Sequence, residues 1–213
     1  MMRTHISRYA LLVALVAMFW ATEAMAYTIG FGNLDGNNLD RFTSYDEHGY
    51  TVEATGGDWF VAKVFGNEIP AIVAGPIYNP GVSEITLTYD DGERFTFEGL
   101  DLSSNVAGGT SYTIAGFLGT SGVFSETFRI DSINRFETKL FSSLSLRLVD
   151  RVTITGTPGS GTTSFNIDNI RAGTAICDDP NGSCRPVPEP AAILLLGAGL
   201  AGIELWRRRR GSG

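Results

Sequence analysis

Alternation of apolar and polar residues with a period of two runs through the middle of this chain and restricts it to β-structure. In Glu84–Tyr89 (EITLTY), Ile85, Leu87 and Tyr89 share one face and the threonines the other, as in a half-buried strand. Asp90-Asp91-Gly92 leads into Glu93–Phe97 (ERFTF), where Phe95 and Phe97 align, and an Asp-Gly between alternating runs predicts a hairpin. Further runs occupy Tyr50–Ala54, Trp59–Phe65, Ser111–Leu118, Val123–Ile130, Leu144–Leu148, Arg151–Thr155 and Ser164–Arg171. Clusters such as Gly56-Gly57-Asp58, Asn79-Pro80-Gly81 and Thr157–Thr163 supply the turns between them. Short strands at this spacing predict an all-β fold, a β-sandwich or jelly roll. Asn134–Ser142 alone reads as a helical turn. No repeat recurs at a fixed period, which disfavours a propeller or solenoid.

The two ends are of a different kind. Met1–Arg8 carries Arg3 and Arg8, Ala10–Trp20 is an uncharged apolar run, and Ala24-Met25-Ala26 has the small-x-small cleavage pattern. That order is a secretory signal peptide (1–26), read by the Sec export machinery and cut by signal peptidase after Ala26. At the other end Val187-Pro188-Glu189-Pro190 precedes Ala191–Trp206 and four arginines, Arg207, Arg208, Arg209 and Arg210. The sixteen residues 191–206 form, as a helix, a span of about 24 Å. That is short of a hydrocarbon core of about 30 Å, and Trp206 at the interface with snorkelling arginines makes up the difference. A core helix would keep a polar face, which Ala191–Ile203 lacks. The arginines stay in the cytoplasm, so the domain is left outside the inner membrane, facing the periplasm.

This tail resembles the PEP-CTERM sorting signal, which unites a Pro-Glu-Pro, a Gly-interrupted apolar segment and a terminal arginine cluster. The resemblance implies a bacterium with a Gram-negative envelope that makes extracellular polysaccharide. It also implies exosortase, an integral-membrane cysteine protease-transpeptidase, as the partner that recognises the Pro-Glu-Pro and removes the tail. Arg94–Ser103, Tyr112–Gly119, Arg151–Gly156 and Phe165–Ile170 resemble, more weakly, the jelly-roll domains that precede such signals, and these look like carbohydrate-binding modules in fold. That likeness implies a structural Ca²⁺ between first and last strands. Asp168 would lie there, with Asp35 as a partner from the N-terminal loop. The alternative is that Asp168 bonds a neighbouring backbone N–H.

The predicted organisation is a β-sandwich domain over 27–176, a stem over 177–186 and a sorting signal over 187–210. Tyr27–Pro186 keeps 20 of the 23 acidic and 10 of the 16 basic residues, a net charge of −10. Such a surface excludes nucleic acid as a partner and argues against docking on anionic lipid. Cys177 and Cys184 bracket DDPNGS, and in an oxidising compartment a disulfide is the expected use. His48, the one histidine beyond the signal, lies in a polar turn and reads as an idle, exposed imidazole. No Gly-x-Ser-x-Gly elbow, P-loop or dinucleotide fingerprint occurs. Trp59, Tyr45, Tyr50 and Tyr78 are candidates for stacking on sugar rings, Trp59 foremost, against the commoner fate of strand aromatics as core. The expected function is non-enzymatic: an exported envelope or extracellular-matrix protein, structural or adhesive, associated with exopolysaccharide. A carbohydrate-binding module with a defined ligand is the alternative, and a glycoside hydrolase the third.

Overall fold

The computed structural model describes residues 26–67, 69–74, 81–105, 108–131, 135–141, 147–159, 164–177 and 184–186. Ala26–Pro186 is one compact all-β unit. Its fourteen described strands are β1 (Ala26–Ile29), β2 (Ser44–Glu47), β3 (Tyr50–Gly56), β4 (Trp59–Ala62), β5 (Ala71–Ala74), β6 (Ser83–Tyr89), β7 (Phe95–Ser104), β8 (Thr110–Leu118), β9 (Ser121–Ile130), β10 (Glu137–Leu140), β11 (Leu148–Val149), β12 (Arg151–Pro158), β13 (Phe165–Cys177) and β14 (Cys184–Pro186). They form two antiparallel sheets. One has the order β10-β7-β13-β5-β4, with β1 and β14 also on β13 and β11 on β7; the other runs β2-β3-β6-β12-β8-β9.

The period-two pattern explains the layering. Register places Ala54, Ile85, Ile154 and Ile114 in one row across the second sheet, and Val52, Leu87 and Val152 in the next. Ile85, Leu87, Ile114, Val152 and Ile154 are fully buried, and full burial of such a side chain contributes about 1.5–3 kcal/mol. From the first sheet Phe95, Phe97, Leu102, Phe165 and Ile167 close the same core. Phe165 anchors it, meeting Trp59 and Tyr112 edge-on at centroid distances of 5.6 and 5.5 Å. The outward positions of β3, β6, β8 and β12 carry threonines, which pair in register as Thr51 with Thr88 and Thr86 with Thr153.

Two local expectations are corrected. Asp90–Gly92 is a single 3₁₀ turn, and it joins no hairpin: β6 lies in one sheet and β7 in the other, so the turn carries the chain across the core. The hairpin turn of this region is instead His48-Gly49 between β2 and β3, with positive φ at both residues (55° and 81°) and His48 exposed. Within Asn134–Ser142, read as a helical turn, Glu137–Leu140 is a strand whose backbone pairs with Gly99–Leu102 of β7.

The stretch read as a stem begins inside β13 and ends in β14, which folds back on β13 with Cys177 opposite Cys184. Residues 1–25 of the signal peptide, residues 178–183 and everything beyond Pro186 lie outside the described residues, while Ala26, the last signal residue expected, is the first of β1. Among the described residues no helix is long and apolar enough to cross a membrane.

Candidate functional site

Of the residues singled out by sequence, Trp59, Tyr50 and Asp168 are interior, so Tyr50, at 0% exposure, is core and no sugar platform. Trp59 is 1% exposed, and its indole N–H is shared between the carbonyls of Gly56 and Glu84 at 3.1 and 3.0 Å. With its ring packed against Phe165, it offers no face to a sugar. The glycan platform expected there is therefore not at Trp59.

Asp168 belongs to a buried polar network on the outward side of the first sheet, in register with Asp101 of β7; both are 0% exposed. Its two carboxylate oxygens accept the backbone N–H groups of Asn67 (2.7 Å) and Asn169 (2.8 Å). Asp101 accepts from the Asn67 and Asn169 side-chain amides at 2.6 and 2.9 Å, and pairs with Arg171 at 3.0 Å. Burial pushes the Asp101 carboxyl up, but hydrogen bonds from Arg171, Asn169, Asn67 and Thr138 outweigh it and hold the pKa below its usual value. A register shift in β13 after Asp168, with Asn169 at φ 46°, turns the Asn169 amide onto Asp101. Asn tolerates that left-handed backbone better than most residues.

Asp168 and Asp35, the pair expected to hold a calcium ion, are not brought together among the described residues. Calcium needs six to eight oxygens, whereas N–H groups already occupy Asp168. Among the described residues no three His, Cys, Asp or Glu side chains gather to hold a metal. The expected second ligand, Asp35, is exposed on a cleft elsewhere, with none of the Asp168 network among its neighbours there.

That cleft, of about 380 Å³, is formed by the loop after β1, the strap before β2, β2 itself and β4. The strap (39–43) ties the sheets together. Leu39 and Phe42 donate to the Val61 and Trp59 carbonyls, Val61 donates back to Asp40, and the Thr43 carbonyl accepts from Ala54 of β3. The turn carrying Asp35 needs Gly36 at φ 97°, and Asp40 closes it by accepting the Asn37 N–H at 2.6 Å. Leu34, Phe42 and Val61, all nearly buried, make the floor. Asn33, Asp35, Arg41, Tyr45 and Asp46 make much of the rim, with the hydroxyls of Thr43 and Ser44 between them.

Tyr45 is half-buried, with its ring 5.3 Å from Phe31 and its hydroxyl accepting the Asn33 N–H at 3.3 Å. Burial raises the phenol's pKa. The Asn33 N–H opposes this, and the negative charges of Glu47 and Asp35 add to it. An apolar floor with a few convergent polar groups is the make-up of a ligand cleft, and its volume is at the small end of the range of about 300–1,000 Å³.

At the chain's far end, the last described strand stops at Pro186 and the sequence continues directly into Val187-Pro188-Glu189-Pro190, the apolar stretch and the arginines. Residues 186–210 match the PEP-CTERM protein-sorting motif. The sorting motif thus begins on Pro186, the last residue of β14. No curated protein matches the chain by sequence. Among solved structures the chain is similar to a DUF4465 family protein from Bacteroides caccae, at 8% identity and a TM-score of 0.47, covering 70% of this chain and 98% of that one. It is also similar to the family 32 carbohydrate-binding module of C. perfringens NanJ in complex with galactose, at 14% identity and a TM-score of 0.39, covering 59% and 97%. A family 29 carbohydrate-binding module from Piromyces equi is similar at 15% identity and a TM-score of 0.40, covering 73% and 94%.

Sequence reasoning missed Asp101, Asn67, Asn169 and Arg171. The signal for Asp101 was slight: an acid set between Leu100 and Leu102, in a strand that also carries Thr96, Glu98, Ser103 and Ser104. The cleft had a weaker signal, the Asn- and Asp-rich stretch 33–46 between two strands.

Proposed function

We propose that this protein is an exported component of the envelope or extracellular matrix, sorted by exosortase, with a structural or adhesive role associated with exopolysaccharide. The observation that carries the reading is the sorting motif at 186–210, joined directly to a compact β-sandwich unit. In this scheme Arg207–Arg210 stop transfer on the cytoplasmic side, because charged guanidiniums are costly to drag through hydrocarbon. The domain waits in the periplasm on an inner-membrane anchor until cleavage near Pro188–Pro190 releases it to the surface or matrix. Glu189 is the one charged side chain of the Pro-Glu-Pro and the polar group for recognition. The role is one of binding and support, not catalysis; the exposed imidazole of His48 stacks on Tyr27 at 4.9 Å.

Intact mass compared in strains with and without the sorting protease tests this. Tail loss is expected only where the enzyme is present, and Glu189→Ala should slow it. A tail retained in both strains removes the sorting claim.

The cleft favours a more specific second reading, a carbohydrate-binding module. Its rim of amide, carboxylate and guanidinium suits sugar hydroxyls, and Tyr45, half-buried on that rim, is the aromatic side chain within reach of a ring. A glycan array should then give saturable binding that Tyr45→Ala abolishes; a structural filler gives none.

A further inference from the structure

The sorting motif is not free of the sandwich at its start. Pro186, the first residue of the matched stretch 186–210, is also the last of β14, where it pairs with Ala175 of β13. Arg185 pairs with Ile176 and Cys184 with Cys177. β13 makes its last pair with β7 at Thr174, opposite Phe95, so among the described residues 175–177 form a ladder with β14 alone. The motif itself explains where β14 ends. Pro186 has no N–H and offers the ladder only its carbonyl, and Pro188 and Pro190 lack the donor as well. Pro188 is two residues beyond Pro186, at most about 7 Å along an extended chain.

We propose that β14 is an autoinhibitory contact: its pairing with β13 withholds the motif from the sorting protease, and tail removal requires β14 to lift off first. The inference rests on the sorting reading and adds what controls its rate. An extended peptide held by another protein is gripped through its main chain, as an added strand is. A cleft that closes around the chain engages both of its edges. For a cut near Pro188–Pro190 the stretch on the domain side is 184–187, and three of those four residues already stand in the ladder with β13. The same backbone edge cannot serve both partners. A strand of three residues whose last member lacks a donor is weakly held, so it opens locally while the sandwich stays folded. A disulfide between Cys177 and Cys184 would still leave Arg185 and Pro186 able to lift.

The rate of tail loss in pulse-labelled cells, with and without the sorting protease, tests this in three full-length chains. One is the wild type. The second carries Gly-Ser-Gly-Ser between Pro186 and Val187, which lets the enzyme take up the Pro-Glu-Pro without β14. The third is Ile176→Pro, which breaks the β13 side of the ladder, keeps the chain length and leaves 184–213 untouched. Both variants should lose the tail at least about tenfold faster than the wild type, equivalent to about 1.4 kcal/mol. Hydrogen exchange on the purified proteins in detergent should find 184–185 protected in the wild type and unprotected in Ile176→Pro. Its sandwich should melt as the parent does, because residue 176 lies past the last pair with β7.

Faster loss in the insertion variant with a wild-type rate in Ile176→Pro assigns the effect to distance and overturns the pairing. Wild-type rates in both variants overturn the contact as a brake and leave the sorting reading standing. Rapid exchange at 184–185 in the wild type overturns the contact itself. A tail retained by all three chains whether or not the protease is present removes both this inference and the reading beneath it.

Discussion

At Asp101 the balance between burial and hydrogen bonding is sharpest. A fully buried carboxylate on β7 costs stability unless it is paired, and here Arg171, Asn67 and Asn169 are drawn together from β13 and from the chain before β5 to satisfy it. Removing one partner of such a buried pair costs about 3–5 kcal/mol, because the other charge is left uncompensated. Asp101→Asn should therefore lower stability by about 3 kcal/mol at neutral pH, read from urea midpoints. The pH dependence follows from the lowered pKa. A depressed carboxyl stabilises the fold above its unfolded pKa of about 3.9 and loses that contribution as pH falls through the lower folded value. The gap between wild type and Asp101→Asn should close below about pH 4. A gap that does not narrow as the pH falls below about 4 would mean that packing, not charge, carries the effect. Trp59 shows the converse. Its position at the head of an apolar run allowed a platform on sequence against the commoner core role, and the partner carbonyls of Gly56 and Glu84, the latter from a distant strand, decide for the core.

At the scale of elements, most strands were legible and several of their partnerships were not. The alternation of β6 and β12 was read correctly because a half-buried strand writes its two environments into consecutive residues. Asp90–Gly92 has a hairpin's composition but makes a crossing between sheets, since which strands pair depends on residues far along the chain. Glu137–Leu140 was missed because its edge position on β7 leaves it half-exposed, without a clean alternation. The β13–β14 hairpin yields a prediction. Register sets Cys177 opposite Cys184, and antiparallel partners have Cα atoms about 4.5–5.5 Å apart, within the span of a disulfide. The two cysteines should be joined in the exported protein, its intact mass two hydrogens lighter before reduction. Two freely alkylated thiols would refute this. The bond would contribute about 2–3 kcal/mol in the loop-entropy model. Reduction should expose residues 178–186 to proteases sooner than the sandwich.

For the whole molecule, both ends of the described domain are held by one strand: Ala26 pairs with Gly173 and Pro186 with Ala175. Those anchors are two residues apart on β13, about 7 Å, so the signal-peptide junction and the sorting motif leave the same end of the sandwich. A circular permutant joining Pro186 to Ala26 by about six flexible residues, with new ends in the exposed Gly119-Thr120 turn, should fold and melt within a few degrees of the parent. An unfolded permutant beside a stable parent would refute the adjacency. By itself the sequence determined the all-β class, the inward faces of the main strands and the sorting motif, because each is written in local periodicity or in contiguous residues. The tertiary structure alone decided which sheet each strand joined, that Asp168 faces Asp101 and not Asp35, and that Asn33, Arg41 and Tyr45 share a cleft floored by Val61 of β4. Those relations join residues tens of positions apart through backbone pairing and the exclusion of water, and no local pattern of side chains encodes which distant strand will be the neighbour.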